Sequence, residues 1–333
     1  MMNFVLPYDS WLTLSLQNTG DYFIPVMQLF TWLGYPQAYM IMIAIIYWSV
    51  DRKLGLRMAI FLTVVASINS ILKQALHAPR PYWIDPRIKA IHAPNGFGMP
   101  SGHAQAVTVW LYIANSLKNG WFWSGAIIVT LMVGLSRVYL GVHFPSQVLA
   151  GWLIGIIVII LFVQFESKVV SLLESLRIGY QLFFVFGVSM LFLLLGGILV
   201  FMFQNWEMPV EWIRNASLYL TGENETTLSS ISMEAIASNA GGFMGAAMGA
   251  ILIRRKGGFD AGGILWKRLI RSITGIVLIL LLYLTIKMIA PDQEEVLLYS
   301  MWRFAGFFII LFSEIFLIPL LFIRINLFPH SSK

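Results

Sequence analysis

The sequence predicts an all-α fold, a polytopic transmembrane helix bundle of about nine spans. Apolar residues make up 58% of the 333 positions and charged residues only 11%, with a mean hydropathy of +0.77, far from the balance of a soluble globular chain. Apolar runs of roughly 18 to 25 residues also recur along the chain, each long enough as a helix to cross a hydrocarbon core about 30 Å thick. An outer-membrane barrel would instead alternate in polarity over segments of about ten residues, whereas 152–165 is continuously apolar.

In chain order the expected spans are 34–50, 55–77, 101–118, 121–140, 144–164, 180–203, 235–253, 269–290 and 301–324. The connectors between them alternate in charge. Arg52, Lys53 and Arg57 follow the first span, Lys118 the third, and Lys168 and Arg177 the fifth, while Arg254, Arg255, Lys256, Lys267, Arg268 and Arg271 surround the short loop after the seventh. The intervening loops are acidic, with Glu207, Glu211, Glu223 and Glu225, then Asp292, Glu294 and Glu295. By the positive-inside rule this places the N-terminus outside and the C-terminus in the cytoplasm. The net charge of +6 is thus read as topological, with no nucleic-acid partner expected. The chain has no cysteine, which removes disulfides and thiolate metal sites. Residues 1–20 lack the basic start of a cleaved signal peptide and are expected along the membrane interface. In the seventh span Gly241, Gly245 and Gly249 form a small-residue stripe for close helix packing, and two sequons begin at Asn215 and Asn224.

The connector after the second span breaks the charge pattern: it lies on the outer side yet carries Lys73, Arg80, Arg87 and Lys89. A bound anion would account for them. Lys73 and Arg80 end the second span, Ser101, Gly102 and His103 open the third, Arg137 ends the fourth and His143 opens the fifth. Antiparallel alternation alone brings these ends to one face, and ionisable groups so near lipid imply function by default. The arginines can offer paired N–H donors to phosphate oxygens and Lys73 a compact charge. Ser101 can cap a helix whose free N–H groups face an anion, and Gly102 lets backbone come close. A neutral imidazole can attack phosphorus and a protonated one can hand a proton to a leaving alkoxide. His77, one turn from Lys73, and His92 are expected to be structural or exposed. No set of residues has metal-ligand spacing, so no cofactor or metal is expected.

The three motifs Lys73-x6-Arg80-Pro81, Pro100-Ser101-Gly102-His103 and Ser136-Arg137-x5-His143 resemble those of the type 2 phosphatidic acid phosphatase superfamily. The resemblance covers about residues 73–151, with supporting hydropathy over 34–165. It implies a metal-independent phosphatase that works through a phosphohistidine, with His143 as nucleophile and His103 as the acid that protonates the leaving group. Lys73, Arg80, Ser101, Gly102 and Arg137 match the phosphate-binding positions. Most members have an aspartate four residues after the nucleophile, where this chain has Gln147, similar to glucose-6-phosphatase and dolichyl diphosphate phosphatases. Gln147 either orients the imidazole through its carbonyl or caps the helix that starts at Pro145.

The resulting expectation is an interfacial segment 1–33, a six-helix phosphatase core at 34–203, a polar extracytoplasmic loop at 204–234 and additional transmembrane helices at 235–333. The expected substrate is a lipid phosphate or diphosphate in the bilayer, polyprenyl or phosphatidyl in type, cleaved at the outer face of a bacterial inner membrane. A soluble sugar phosphate, phosphoryl transfer to another acceptor, and phosphate transport without cleavage are the alternatives.

Overall fold

The computed structural model describes residue 6 and residues 8–219 and 231–328. The acidic residues Glu223 and Glu225 and the sequon at Asn224 lie outside the described residues. The described chain is helical: α1 (Asp9–Gln17), α2 (Ile24–Trp32), α3 (Pro36–Ser49), α4 (Arg52–Leu76), α5 (Pro81–Ile84), α6 (Gly102–Ala106), α7 (Val109–Leu117), α8 (Gly120–Tyr139), α9 (Pro145–Ser175), α10 (Ile178–Met202), α11 (Val210–Ser217), α12 (Glu234–Arg255), α13 (Leu265–Met288), α14 (Val296–Phe312), a π-helical stretch Ser313–Leu317 and α15 (Ile318–Arg324).

Seven helices are long and apolar enough to cross a membrane, or eight if α2 and α3 together count as one span. Two expected spans differ: 34–50 is α3, too short to cross unless it counts together with α2, and 101–118 is broken. The latter divides into α6 and α7, each too short to cross, where the Thr108 hydroxyl donates to the Gln105 carbonyl (2.7 Å) and competes with the helical ladder. Among the long spans α10 and α13 are the most outward-facing, with only 17% of each apolar stretch buried, whereas α12 is 61% buried.

The chain forms two compact units, one from residues 1–35, 68–162 and 196–232 and the other from 36–67, 163–195 and 233–333. In the first, α9 lies against α6 because Gly151 and Gly155 have no side chains there. A Cβ on Gly151 would sit 2.6 Å from the Ser101 carbonyl oxygen, and one on Gly155 2.5 Å from Thr108 Oγ1. In the N-terminal segment of this unit Asp9, Thr13, Met27 and Thr31 are buried. The expected polar loop contains α11, whose Ala216 is buried against Tyr82, Trp83 and Phe97.

In the second unit, the glycine stripe of α12 is covered by α14. A Cβ on Gly241 would lie 2.1 Å from the Phe304 carbonyl oxygen and one on Gly245 2.3 Å from that of Phe308. The stripe therefore serves packing within the chain, as its spacing suggests.

Candidate active site

Gly141, with φ +69°, turns the chain between α8 and α9, a conformation that costs glycine little. The turn folds back on α8, so that the N–H groups of Val142 and His143 both donate to the Arg137 carbonyl (3.2 Å each). This presents His143, 2% exposed, at the start of α9.

The amide of Gln147 is oriented by two backbone groups whose roles are unambiguous. Its Nε2 donates to the Pro79 carbonyl (2.7 Å) and its Oε1 accepts the Phe144 N–H (3.2 Å). Reversing the amide would oppose donor to donor and acceptor to acceptor. Oε1 also lies 3.2 Å from His143 Nδ1, so Nδ1 must carry the proton and Nε2 the lone pair. One oxygen thus meets the N–H at the helix start, in the manner of a capping box, and faces the imidazole Nδ1. Gly98 makes room for this amide, since a Cβ there would sit 2.6 Å from both its nitrogen and its oxygen.

Arg80 approaches the other nitrogen of that buried imidazole. Its Nη1 lies 3.2 Å from His143 Nε2 and donates to the Val142 carbonyl (2.9 Å), while Nε donates to Gly96 (2.7 Å) and Nη2 to Asn95 (3.2 Å). Lys73 Nζ, at the end of α4, donates to the next carbonyl of the same loop, Phe97 (2.9 Å). Arg137, 4% exposed, is held by the Thr31 hydroxyl and by Tyr35, and its buried Nε has no partner among the described residues. Lys73, Arg80, Arg137 and His103 are all near enough to His143 to act on it electrostatically. Burial first, then the charges of Arg80, Arg137 and Lys73, hold the His143 imidazole well below its usual range, so it is neutral at pH 7.

Among the described residues no carboxylate pairs with Lys73, Arg80 or Arg137. An uncompensated cluster of this kind is costly, and an anion would offset that cost.

Ser101 caps α6 through its side chain, which accepts the Ala104 N–H (3.4 Å). Gly102 faces Asn69, where a Cβ would come within 3.1 Å of Oδ1. Asn69 in turn donates to the Pro100 carbonyl (3.2 Å) and to Gln105 Oε1 (2.7 Å), tying the end of α4 to the start of α6. His103 sits edge-on to Tyr35 with ring centroids 4.8 Å apart, and its buried Nε2 has no partner among the described residues. A Cβ on Gly34 would be 2.6 Å from the His103 ring.

All eight residues expected at the site thus lie at one end of the first unit. Of the other basic residues in the connector, Arg87 is engaged by Asp85 through two hydrogen bonds (2.7 and 2.9 Å), which hold the Asp85 carboxyl below its usual range. The anion explanation therefore does not extend to Arg87. His77 packs among Phe97, Phe203 and Trp206, and His92 is exposed beside Gln28. Asn215, the first sequon, is buried and donates to the Trp83 carbonyl (3.0 Å), so it does not present its amide to solvent.

Sequence reasoning missed the N-terminal contributors. Besides Thr31 and Tyr35, Asp9 receives the Ser146 N–H on Oδ1 (3.0 Å) and the Ser146 hydroxyl on Oδ2 (2.6 Å), a carboxylate at the N-terminus of α9. Gln17 bridges the Lys89 and Tyr139 carbonyls (2.7 and 3.0 Å). No motif marks these residues, which stand more than 100 positions from the α9 start they support; an isolated acid in an apolar N-terminal stretch was the one available signal.

Chemically, the site combines cationic donors, a helix start and two imidazoles, the set needed to bind a phosphoryl group and exchange its ester oxygen. A transmembrane helix bundle with this equipment at its helix ends defines a membrane phosphatase class. Comparison with known proteins agrees: residues 54–171 match the model of the PAP2 superfamily, and residues 237–332 that of the PAP2 superfamily phosphatase transmembrane extension. The chain belongs to the PAP2 superfamily of membrane phosphatases with a transmembrane extension. It is similar to an undecaprenyl-diphosphatase of Sulfolobus acidocaldarius (33% identical over 117 residues, 35% of this chain and 57% of that one). It is similar also to glucose-6-phosphatase catalytic subunit 1 of Bos taurus (30% over 195 residues, 50% and 54%) and to phosphatidylglycerophosphatase B of Bacillus subtilis (33% over 129 residues, 34% and 59%). The chain spans a little over half the length of each of these relatives.

Proposed function

We propose that this protein hydrolyses a phosphate ester or diphosphate carried by a membrane lipid, through a phosphohistidine on His143. The observation that carries this reading is the group of three cations, none paired with a described carboxylate, around an imidazole whose lone pair faces them. In the resting site the Arg80 guanidinium occupies that lone pair. A phosphate takes over the Arg80 donors and frees Nε2. Burial, then Arg137, Lys73 and Arg80, hold the resting His103 imidazole well below its usual range, and the negative charge of the bound phosphate offsets those cations so that His103 takes up a proton. The Nε2 lone pair of His143 then forms the N–P bond as the P–O bond to the lipid breaks, and His103 passes that proton to the departing oxygen. Arg80, Arg137 and Lys73 stabilise the charge on the equatorial oxygens. Gln147 Oε1 keeps the Nδ1 proton in place while the ring becomes positive. Water, deprotonated by His103, then attacks phosphorus, releasing phosphate and restoring Nε2.

The lipid substrate is favoured because the helices beside the site expose apolar side chains to the bilayer and because two of the three relatives are named for lipid phosphates. The charge pattern of the connectors supports an extracytoplasmic site. A soluble sugar phosphate is the second reading, supported by the similarity to glucose-6-phosphatase over a longer stretch of the chain.

The test is phosphate release by the full chain in detergent, with chelator present, for wild type and His143→Ala. The substrate panel is undecaprenyl diphosphate, phosphatidic acid, phosphatidylglycerophosphate and glucose 6-phosphate. Chelator-resistant release that requires His143 supports the mechanism, and the ranking of substrates separates lipid from sugar. A folded protein that releases phosphate from none of them overturns the reading.

A further inference from the structure

In the second unit, the start of α4, the C-terminal half of α9 and the end of α12 enclose a cavity of about 480 Å³. Four cations line it, Arg52, Lys53, Arg57 and Arg254, against two carboxylates, Glu166 and Glu174. Both carboxylates are already engaged, Glu166 with Arg57 (2.5 Å) and Glu174 with Arg254. Arg52 and Lys53 have no carboxylate partner among the described residues. Arg52 lies over the Phe259 ring, 5.6 Å from its centroid, an aromatic contact that leaves its charge uncompensated.

The rest of the lining is apolar, including Tyr47, Leu56, Val170 and Ile253. On α9 this wall continues into the exposed side chains Val163, Phe165, Val169 and Leu172, so the cavity adjoins surface that meets acyl chains. A free phosphate would use only the cations; an amphiphile uses both parts. Basic pockets between transmembrane helices on the cytoplasmic side recur as sites for anionic lipid headgroups, and the connector charges put this end of the chain there.

From this juxtaposition we infer that the cavity binds the headgroup of an anionic phospholipid, with its phosphodiester at Arg52 and Lys53 and its acyl chains along α9. The site is separate in sequence and chemistry from the phosphatase residues and does not depend on their proposed role. Arg57 and Arg254 shape the cavity through their ion pairs. Such exposed pairs stabilise little by themselves, and here they leave the other two cations available.

Lipid retention by the full chain, measured by native mass spectrometry during titration with phosphatidylglycerol or phosphatidylcholine in detergent, tests the inference. Wild type is expected to retain phosphatidylglycerol in preference to phosphatidylcholine. Lys53→Gln, at an exposed position, should weaken phosphatidylglycerol about fivefold, and Arg52→Gln with Lys53→Gln about 25-fold, at roughly fivefold per cation. Arg52→Lys, which keeps the charge, should bind like wild type and guards against a folding defect in the double variant. Lys73→Gln, at the phosphatase end, should also bind like wild type. Equal retention of both lipids, an unchanged double variant, loss in Lys73→Gln, or displacement of phosphatidylglycerol by millimolar inorganic phosphate would each overturn the inference.

Discussion

Replacing Gln147 by alanine removes three hydrogen bonds at once, and the structure separates their effects. Two are structural: the Phe144 N–H and the Pro79 carbonyl lose their partner in a place where Gln147 itself is fully buried. Each orphaned group costs about 1–3 kcal/mol, so the fold should lose about 2–6 kcal/mol. The third bond, from His143 Nδ1 to Oε1 (3.2 Å), bears on the reaction. It joins neutral groups in the resting enzyme and becomes charge-assisted when Nε2 bonds to phosphorus, rising from about 1 to about 1.5–3 kcal/mol. The gain made only on reaction is therefore about 0.5–2 kcal/mol, a factor of about 2–30 in turnover. Loss of His143 itself removes the proposed nucleophile and should abolish phosphate release. The assay is initial-rate phosphate release by wild type, Gln147→Ala and His143→Ala, each with its thermal unfolding midpoint in the same detergent. A folded Gln147→Ala protein as inactive as His143→Ala would refute a purely orienting role, and one with unchanged activity and midpoint would refute the hydrogen-bond assignment.

The pH dependence follows from the surroundings of His143. Its imidazole is held well below the usual range, so kcat/KM should stay flat as pH falls through about 6.5 and drop only in more acid solution; a limb at an ordinary histidine pKa contradicts this environment. The same depression makes the unfolded chain bind a proton that the folded one refuses. Its contribution to stability is thus present above about pH 6.5 and is lost as pH falls towards the folded-state pKa, visible as a midpoint that falls with acidification less steeply in His143→Ala. Tyr35→Phe keeps the ring edge against His103 but drops the hydrogen bond to Arg137; steady-state kinetics should show about a tenfold loss in kcat/KM, and no loss would mean that Thr31 alone positions the guanidinium. Asp9→Asn keeps one acceptor for Ser146 and should destabilise by about 1 kcal/mol, against about 2 kcal/mol for Asp9→Ala, read from unfolding midpoints. Gly241→Ala would press a methyl group to within 2.1 Å of the Phe304 carbonyl and should cost at least about 1–3 kcal/mol as overpacking; an unaffected midpoint would mean that α12 and α14 are not locked together.

The site is legible in the sequence to an unusual depth because its chemistry is carried by three short motifs at helix ends. Lys73, Arg80, Ser101, His103, Arg137 and His143 need only a correct alternation of spans to share a face. Helix ends are also where lipid-facing periodicity stops, so a lysine or histidine there stands out against apolar neighbours. The same logic fails for Thr31 and Tyr35. A threonine and a tyrosine in an apolar stretch look like ordinary membrane-interface residues, and nothing local signals that they hold Arg137. It fails for the span 101–118 too: its length and its apolar middle suggest one helix, but the back-bond of Thr108 to Gln105 is a local geometric event that hydropathy does not register. Arg87 is the converse case, a charge without an orientation role that is satisfied by Asp85, two residues away.

The sequence by itself determines the solvent of this protein, its helical architecture and the residue types gathered at its candidate site. Composition and period follow from the membrane's demand that every backbone group be satisfied internally, and that demand is written along the chain. The tertiary structure decides which face of each amide is used, which backbone carbonyls hold Lys73 and Arg80, that an N-terminal carboxylate caps the helix behind His143, and that Glu166 and Glu174 pair with Arg57 and Arg254 beside a cavity also lined by Arg52 and Lys53. Those are choices among partners far apart in sequence, and a hydrogen bond selects its partner by distance and angle, which only folding establishes.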